Sequence, residues 1–129
     1  LWIGAETDYN TNIPHPKILL VSESTLAKMH YGNQKAEDTV HALYNTENNT
    51  IYLKDTFNQY KVFDKGVLMH EIMHYVHDMN GAVGTKFDCM AQSESEIYPL
   101  QKKYLIEVHG VKWEYDPMWL KIISSCDKP

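Results

Sequence analysis

The stretch that decides the fold is residues 67–79, which read VLMHEIMHYVHDM. Apolar residues recur in it at steps of three and four, the period of an α-helix, at Leu68, Ile72, Val76 and Met79. Met69 and Met73 add apolar side chains beside this stripe. Because apolar residues on more than one side are typical of a helix with little solvent contact, we predict a largely buried helix.

The ends of this predicted helix are marked by residues that start and stop helices. Asp64 is suited to the N-cap, since its carboxylate can accept a hydrogen bond from a free backbone N–H of the first turn. Asn80 and Gly81 follow the last apolar residue, and Gly readily adopts the left-handed conformation that ends a helix. We therefore predict a helix over residues 67–79.

The other predicted elements define the fold class. They are an irregular lead-in over residues 4–16, a buried strand over 18–21, a helix over 25–31 capped from residues 22–24, a loop over 33–39, strands over 41–44 and 50–54 joined as a hairpin, and helices over 87–108 and 117–124. No repeat or linker divides the chain. The order predicts a single α+β domain over residues 1–129, with a small mixed sheet of about three strands packed on the helices.

Composition excludes several classes of protein. The chain has 129 residues, 43% of them hydrophobic, which is sufficient for a core and atypical of a disordered chain. A formal net charge of −5 implies no basic face, so we expect neither a nucleic-acid partner nor an anionic membrane surface. No apolar run approaches the roughly 18 residues of a membrane span.

The two cysteines, Cys89 and Cys126, lie far apart and do not form the C-x-x-C spacing of zinc or thioredoxin-like sites. We predict a disulfide between them, which would indicate a protein outside the cytoplasm, secreted or periplasmic. The alternative is a pair of buried thiols in a cytoplasmic chain.

The motif that carries chemistry is His70-Glu71-Ile72-Met73-His74, an H-E-x-x-H on the predicted helix. Positions i and i+4 lie one above the other on a helix, so both imidazoles can reach one Zn²⁺ ion. Glu71 lies beside that face and is placed to act as general base toward a zinc-activated water. The motif therefore predicts a zinc site.

An open zinc site needs a third protein ligand. Glu94, 20 residues after His74, falls on the inward face of the predicted return helix with Met90, Ile97, Gln101, Tyr104 and Val108. Glu96 belongs to a more mixed face with Ser93, Leu100 and Lys103, and Asp88 precedes the helix. We predict Glu94 as the ligand, with Glu96 and Asp88 as alternatives.

The H-E-x-x-H followed by Glu94 resembles the gluzincin metallopeptidases, particularly the small single-domain minigluzincins, over residues 18–105. The resemblance implies a zincin-like fold, hydrolysis of peptide bonds and a peptide or protein substrate. It also implies an edge strand before the active helix that binds extended substrate, at Asn49, Thr50, Ile51, Tyr52 and Leu53.

The chain departs from that family at one position. Many gluzincins have an Asp four residues after the ligand Glu, where this chain has Tyr98. Residues 84–88 are similar to the Gly-Thr-x-x-Asp segment of aspzincins, which keeps Asp88 as an alternative ligand. The alternative function is a zinc-binding, non-catalytic structural or interaction protein, such as a secretion-system component or an effector.

The remaining candidate residues have structural interpretations. We interpret His77 as a polar residue near the helix end, with an accessory ligand or a substrate contact as the alternative. We also interpret His109 as a helix-end residue, with a hydrogen-bond donor near the metal-bound water as the alternative. Trp113, Tyr115 and Trp119 are expected to pack the C-terminal helix.

Overall fold

The structure, a computed structural model, describes residues 2–31 and 41–126. The elements in chain order are α1 (Trp2–Glu6), β1 (Lys17–Val21), α2 (Glu23–Tyr31), β2 (Ala42–Asn45), β3 (Thr50–Lys54), α3 (Val62–Met79), α4 (Met90–His109) and α5 (Pro117–Ile123). The predicted α+β class and its small mixed sheet are confirmed. The loop predicted over 33–39 lies outside the described residues.

The sheet has the strand order β1-β3-β2. β1 runs parallel to β3, with Ile18 opposite Ile51, whereas β2 runs antiparallel to β3, with Ala42 opposite Leu53. The predicted hairpin joins β2 to β3, and Asn49 takes a positive φ of 53° in its turn. Asn tolerates this left-handed conformation better than most residues because its short polar side chain can bond locally.

The chain divides into two compact units, residues 14–75 and residues 1–13 with 76–129. The first unit contains the sheet, α2 and most of α3. Ser22 caps α2, since its Oγ accepts a hydrogen bond from the Thr25 amide at 3.1 Å. Leu26 of α2, Ile51 and Leu53 of β3, and Met69 and Met73 of α3 form a core within this unit.

β1 differs from its prediction as a buried strand. Ile18, Leu19 and Leu20 are exposed, Leu20 by 57% of its surface. A short apolar run is typical of a strand covered on both faces. β1 instead lies at one side of the sheet, where only β3 pairs with it among the described residues.

α3 begins at Val62, five residues before the predicted start at residue 67. Asp64 therefore lies within the first turn instead of capping the helix, and its Oδ2 accepts a hydrogen bond from the Asn58 amide at 2.8 Å. A carboxylate in the first turn still interacts favourably with the helix dipole. The prediction that α3 is largely buried is confirmed for residues 69–71 and 73–77, although Met79 at its end is exposed.

The second unit is built on α4 and α5. Cys89 is the N-cap residue of α4, and a disulfide joins it to Cys126 after α5, with Cα atoms 5.8 Å apart. Gly110 ends α4 with a φ of 66°, and its amide donates to the Ile106 carbonyl. Asp116 caps α5 by accepting from the Met118 amide, as the Asp-Pro pair predicts. The predicted disulfide is therefore present.

The buried face of α4 is rotated from the predicted one. Its members follow i+4 steps and are Ser93, Ile97, Gln101 and Leu105. Glu94 is half-buried and Val108 is exposed. Ser93 can be buried because its Oγ donates to the Met90 carbonyl of its own helix at 2.5 Å, which satisfies the hydroxyl.

The N-terminal segment contains a helix, α1, where only an irregular lead-in was predicted. Five residues are too few for a helical period to be detected, and a helix this short depends on tertiary contacts. Trp2 packs edge-on against the Tyr104 ring of α4 at 5.4 Å, and Glu6 pairs with Lys103. Among the described residues, no helix has the length and apolar character needed to cross a membrane.

Candidate metal site

Helix α3 buries an unusual number of polar side chains. His70 and His74 are 7% and 6% exposed, and Glu71 between them is also buried. The ring centroids of His70 and His74 lie 5.1 Å apart, as expected for positions i and i+4 of one helix. Burial of imidazoles and a carboxylate costs free energy unless they have polar partners or a metal ion, so this face of α3 is a candidate functional site.

A third donor completes the candidate set. The ligand atoms of His70, His74 and Glu94 all lie within 4.8 Å of one another. A metal ion bonded to protein donors at about 2.0–2.2 Å would hold these three donor atoms closer together than this. Two imidazoles and one carboxylate are a donor set that suits Zn²⁺.

Glu71 lies outside the group of three donors. Its carboxylate is buried, yet it forms no hydrogen bond or ion pair with another residue that the structure describes. A helix turns by about 100° per residue, so Glu71 projects beside the face that carries His70. This carboxylate is available for a reacting molecule or a water.

The alternative ligands, Glu96 and Asp88, do not belong to the group of three donors. Asp88 is exposed, and its amide donates to Gln92 Oε1 at 2.6 Å in the turn before α4. The Glu96 carboxylate is engaged elsewhere. Its Oε2 contacts Lys86 Nζ at 2.6 Å, and an ammonium group there opposes binding of a metal cation at the same carboxylate.

Glu96 is the centre of a polar cluster that also includes Tyr9, His77 and Lys86. Its Oε1 accepts hydrogen bonds from Tyr9 Oη and from His77 Nε2, each at 2.7 Å, and Lys86 Nζ lies 3.0 Å from Tyr9 Oη. Burial raises the pKa of Glu96, but the hydrogen bonds from His77, Lys86 and Tyr9 outweigh this effect and lower it to about 2. The hydrogen bond to Glu96 raises the pKa of Lys86 in turn.

His77 lies in the last turn of α3, as predicted, and it is not an accessory member of the donor group. It is only 1% exposed, and it is bonded to Glu96 rather than grouped with the metal donors. The spacing of three residues from His74, on a helix predicted to be buried, was a usable signal for an inward position. Nothing in the sequence indicated Tyr9 or Lys86 as its neighbours.

Aromatic residues near the C-terminus pack as predicted. Tyr98 stacks on Trp113 with centroids 6.1 Å apart, and Tyr115 and Trp119 also contact the Tyr98 ring. His109 lies 3.1 Å from Tyr104 Oη at the end of α4. The helix-end interpretation of His109 agrees with this contact.

The expectation that residues 49–54 form an edge strand is wrong. β3 is the central strand, and its two edges are hydrogen-bonded to β1 and β2. An extended substrate cannot add to it, because the required backbone groups are already paired. Strand addition therefore cannot be the way in which substrate contacts the predicted residues Asn49, Thr50, Ile51, Tyr52 and Leu53.

Together, these features define an α+β protein with an H-E-x-x-H motif on a buried helix and a carboxylate close enough to share a metal with it. The chain belongs to the family described as Domain of unknown function (DUF6647), whose model matches residues 1–129. No curated protein and no solved structure matches the chain. Its function therefore has to be argued from the site itself.

Proposed function

We propose that this protein is a zinc-dependent metallopeptidase that hydrolyses peptide bonds. The observation that carries the proposal is the grouping of His70, His74 and Glu94 within 4.8 Å, beside the buried Glu71. The resemblance to gluzincins rests on the same residues and supports the same chemistry.

The metal ligands in this proposal are His70, His74 and Glu94. Zinc bound by three protein ligands keeps a position open for water or substrate, lowers the pKa of water and polarises a carbonyl group. A fourth protein ligand would close the site and favour a structural role. None of the candidate fourth ligands His77, His109 and Asp88 joins the donor group, which supports an open site.

Glu71 is the general base in this proposal. It follows His70 directly on α3, so the rigid helix holds its carboxylate beside the ligand face. Glu71 takes the proton from the attacking water and delivers it to the nitrogen of the leaving amine. General acid–base catalysis of this kind contributes roughly 10²–10⁴-fold to rate.

The substrate class is a peptide or protein in extended conformation. Strand addition requires an unpaired sheet edge, and β3 has none. We therefore propose that the substrate binds at an outer edge of the sheet, on β1 or β2. We also propose an extracytoplasmic location, secreted or periplasmic. The disulfide between Cys89 and Cys126 supports it, because disulfides persist in oxidising compartments.

The test is Glu71→Gln, which keeps the shape of the side chain and removes its basicity. We expect the variant to bind one zinc per chain like the wild type. Its cleavage of a quenched-fluorescence peptide library should fall by roughly 10²–10⁴-fold. Bound metal is measured by elemental analysis and cleavage by fluorescence.

Glu107→Gln is the matched control, since Glu107 is exposed on α4 and lies outside the donor group. It should retain both zinc and activity. Normal cleavage by Glu71→Gln would contradict the assignment of the base. A wild-type protein that holds zinc at one per chain and cleaves no member of the library would instead indicate the non-catalytic alternative.

A further inference from the structure

The Glu96 carboxylate joins three separate segments of the chain. Tyr9 comes from the N-terminal segment, His77 from the last turn of α3, and Lys86 from the connection between α3 and α4. All three contacts are 2.6–2.7 Å long, and the Glu96 side chain is 24% exposed. Charge-assisted hydrogen bonds of this length are among the stronger ones in proteins.

Glu96 is the hydrogen-bond partner of the buried His77 ring. This ring is packed edge-on against Tyr9 at 5.0 Å and tilted against Phe87 at 5.1 Å. Its Nδ1 is buried with no hydrogen-bond partner among the described residues. The ring therefore makes its hydrogen bond through Nε2, to Glu96. Because an ionised carboxylate only accepts, Nε2 carries the hydrogen in the bond to Glu96.

The bond between these two side chains joins the helices that carry the proposed ligands. His77 lies three residues after His74 on α3, and Glu96 lies two residues after Glu94 on α4. A helix is rigid over one turn, so fixing Glu96 against His77 also fixes the backbone from which Glu94 projects.

We propose that Glu96 is a positioning residue for the metal site, holding the Glu94 carboxylate where it shares one ion with His70 and His74. Glu96 does this through its hydrogen bond to His77 and without touching the metal. The inference rests on the proposed function only for the identity of the three ligands.

The Lys86 contact explains why Glu96 serves this role and not that of a ligand. The ammonium group lies 2.6 Å from Oε2 and holds the carboxylate in its charged form. It also lies 4.9 Å above the Tyr9 ring, which keeps the three groups together. The carboxylate thus has three donors from the protein, which hold it at this position.

The experiment compares zinc affinity in Glu96→Gln and the wild type by competition with a chromophoric chelator. Loss of a residue that orients a ligand typically weakens metal affinity roughly 10–100-fold, and we expect that range. The Co²⁺-substituted variant should also show an altered visible spectrum, which reports ligand geometry. Glu107→Gln, the same change on the exposed side of α4, should alter neither property.

A second variant, His77→Phe, removes the bond from the other side and keeps the ring contacts with Tyr9 and Phe87. It should lose zinc affinity to a similar extent, and the double variant should lose little more than either single one, since the two residues act through one bond. If Glu96→Gln does not fold, His77→Phe alone tests the positioning role of Glu96.

The outcomes separate this proposal from the proposed function. Wild-type zinc affinity and an unchanged Co²⁺ spectrum in both variants would overturn the positioning role and leave the peptidase proposal standing. A wild-type chain that binds no zinc would overturn both. Binding of one zinc without peptide cleavage would overturn the peptidase proposal and leave the positioning role intact.

Discussion

Glu94 and Glu96 have different neighbours although only one residue separates them. Successive residues of an α-helix are rotated by about 100°, so these two side chains leave the helix in nearly opposite directions, about 160° apart. One carboxylate groups with two histidines of α3, and the other accepts hydrogen bonds from His77, Lys86 and Tyr9. The different roles proposed for them rest on these neighbours, since the chemistry of the two side chains is identical.

Replacement of Glu94, the third proposed ligand, tests directly whether the two carboxylates have different roles. We expect Glu94→Ala to weaken zinc binding by more than the roughly 10–100-fold typical of losing an orienting residue, because a direct ligand is removed. The measurement is chelator competition on purified protein.

Asp88→Asn is the control for Glu94→Ala, since the same sequence argument left Asp88 open as a ligand. Its zinc affinity should equal that of the wild type. A strong loss in Asp88→Asn together with full binding by Glu94→Ala would reverse the assignment.

At the scale of single residues, the sequence predicts the local part of the site. The spacing of His70 and His74 is a property of one helix and can be recognised without a fold. The contact between Tyr9 and Glu96 spans 87 residues, and no helical or strand period relates such distant positions. Only the folded chain reveals it.

At the scale of elements, the ends of helices were predicted best where a side chain or a glycine acts locally. Asp116 caps α5 and Gly110 ends α4 in the left-handed conformation, as their residue types indicate. The start of α3 and the exposure of β1 were predicted wrongly. Both depend on what surrounds the segment, which an apolar pattern does not specify.

The disulfide fixes the N-cap of α4 to the segment after α5, and its removal should be measurable. In the chain-entropy model, a cross-link over 37 residues restricts the unfolded chain enough to stabilise the fold by about 4 kcal/mol. We expect the Cys89→Ser, Cys126→Ser double variant to lose about this free energy of unfolding in urea titrations.

Wild-type protein treated with a reductant serves as the control, and it should unfold at the same urea concentration as the double variant. An oxidised wild type that unfolds together with the double variant would contradict the expected contribution.

At the scale of the whole molecule, the fold class followed from the order of the elements, and the family match covers the full chain. The division into two compact units was not predicted, because it reflects which residues contact each other and not a change in composition. The expectation that nucleic acid is not a partner still rests on the net charge of −5.

Global stability should depend on pH through Glu96. Its pKa is lowered to about 2 in the folded protein from 4.5, so the charged carboxylate stabilises the fold above pH 4.5. That contribution is lost as the pH falls from about 4.5 toward 2. We expect metal-free wild type to lose more unfolding free energy between pH 5 and pH 3 than metal-free Glu96→Gln does.

Urea titrations at the two pH values, in the presence of a chelator, measure this difference. Glu107→Gln should follow the wild type, because its exposed carboxylate has no comparable set of donors. Equal losses in the wild type and Glu96→Gln would show that the Glu96 contacts do not stabilise the folded state.

The position of Cys126 has a consequence for the order in which the protein matures. Cys126, which is bonded to Cys89, is synthesised after both helices that carry His70, His74 and Glu94. During synthesis, these helices emerge first and the covalent connection can form only later. If the proposed ligands bind zinc, the metal can be captured before the disulfide forms.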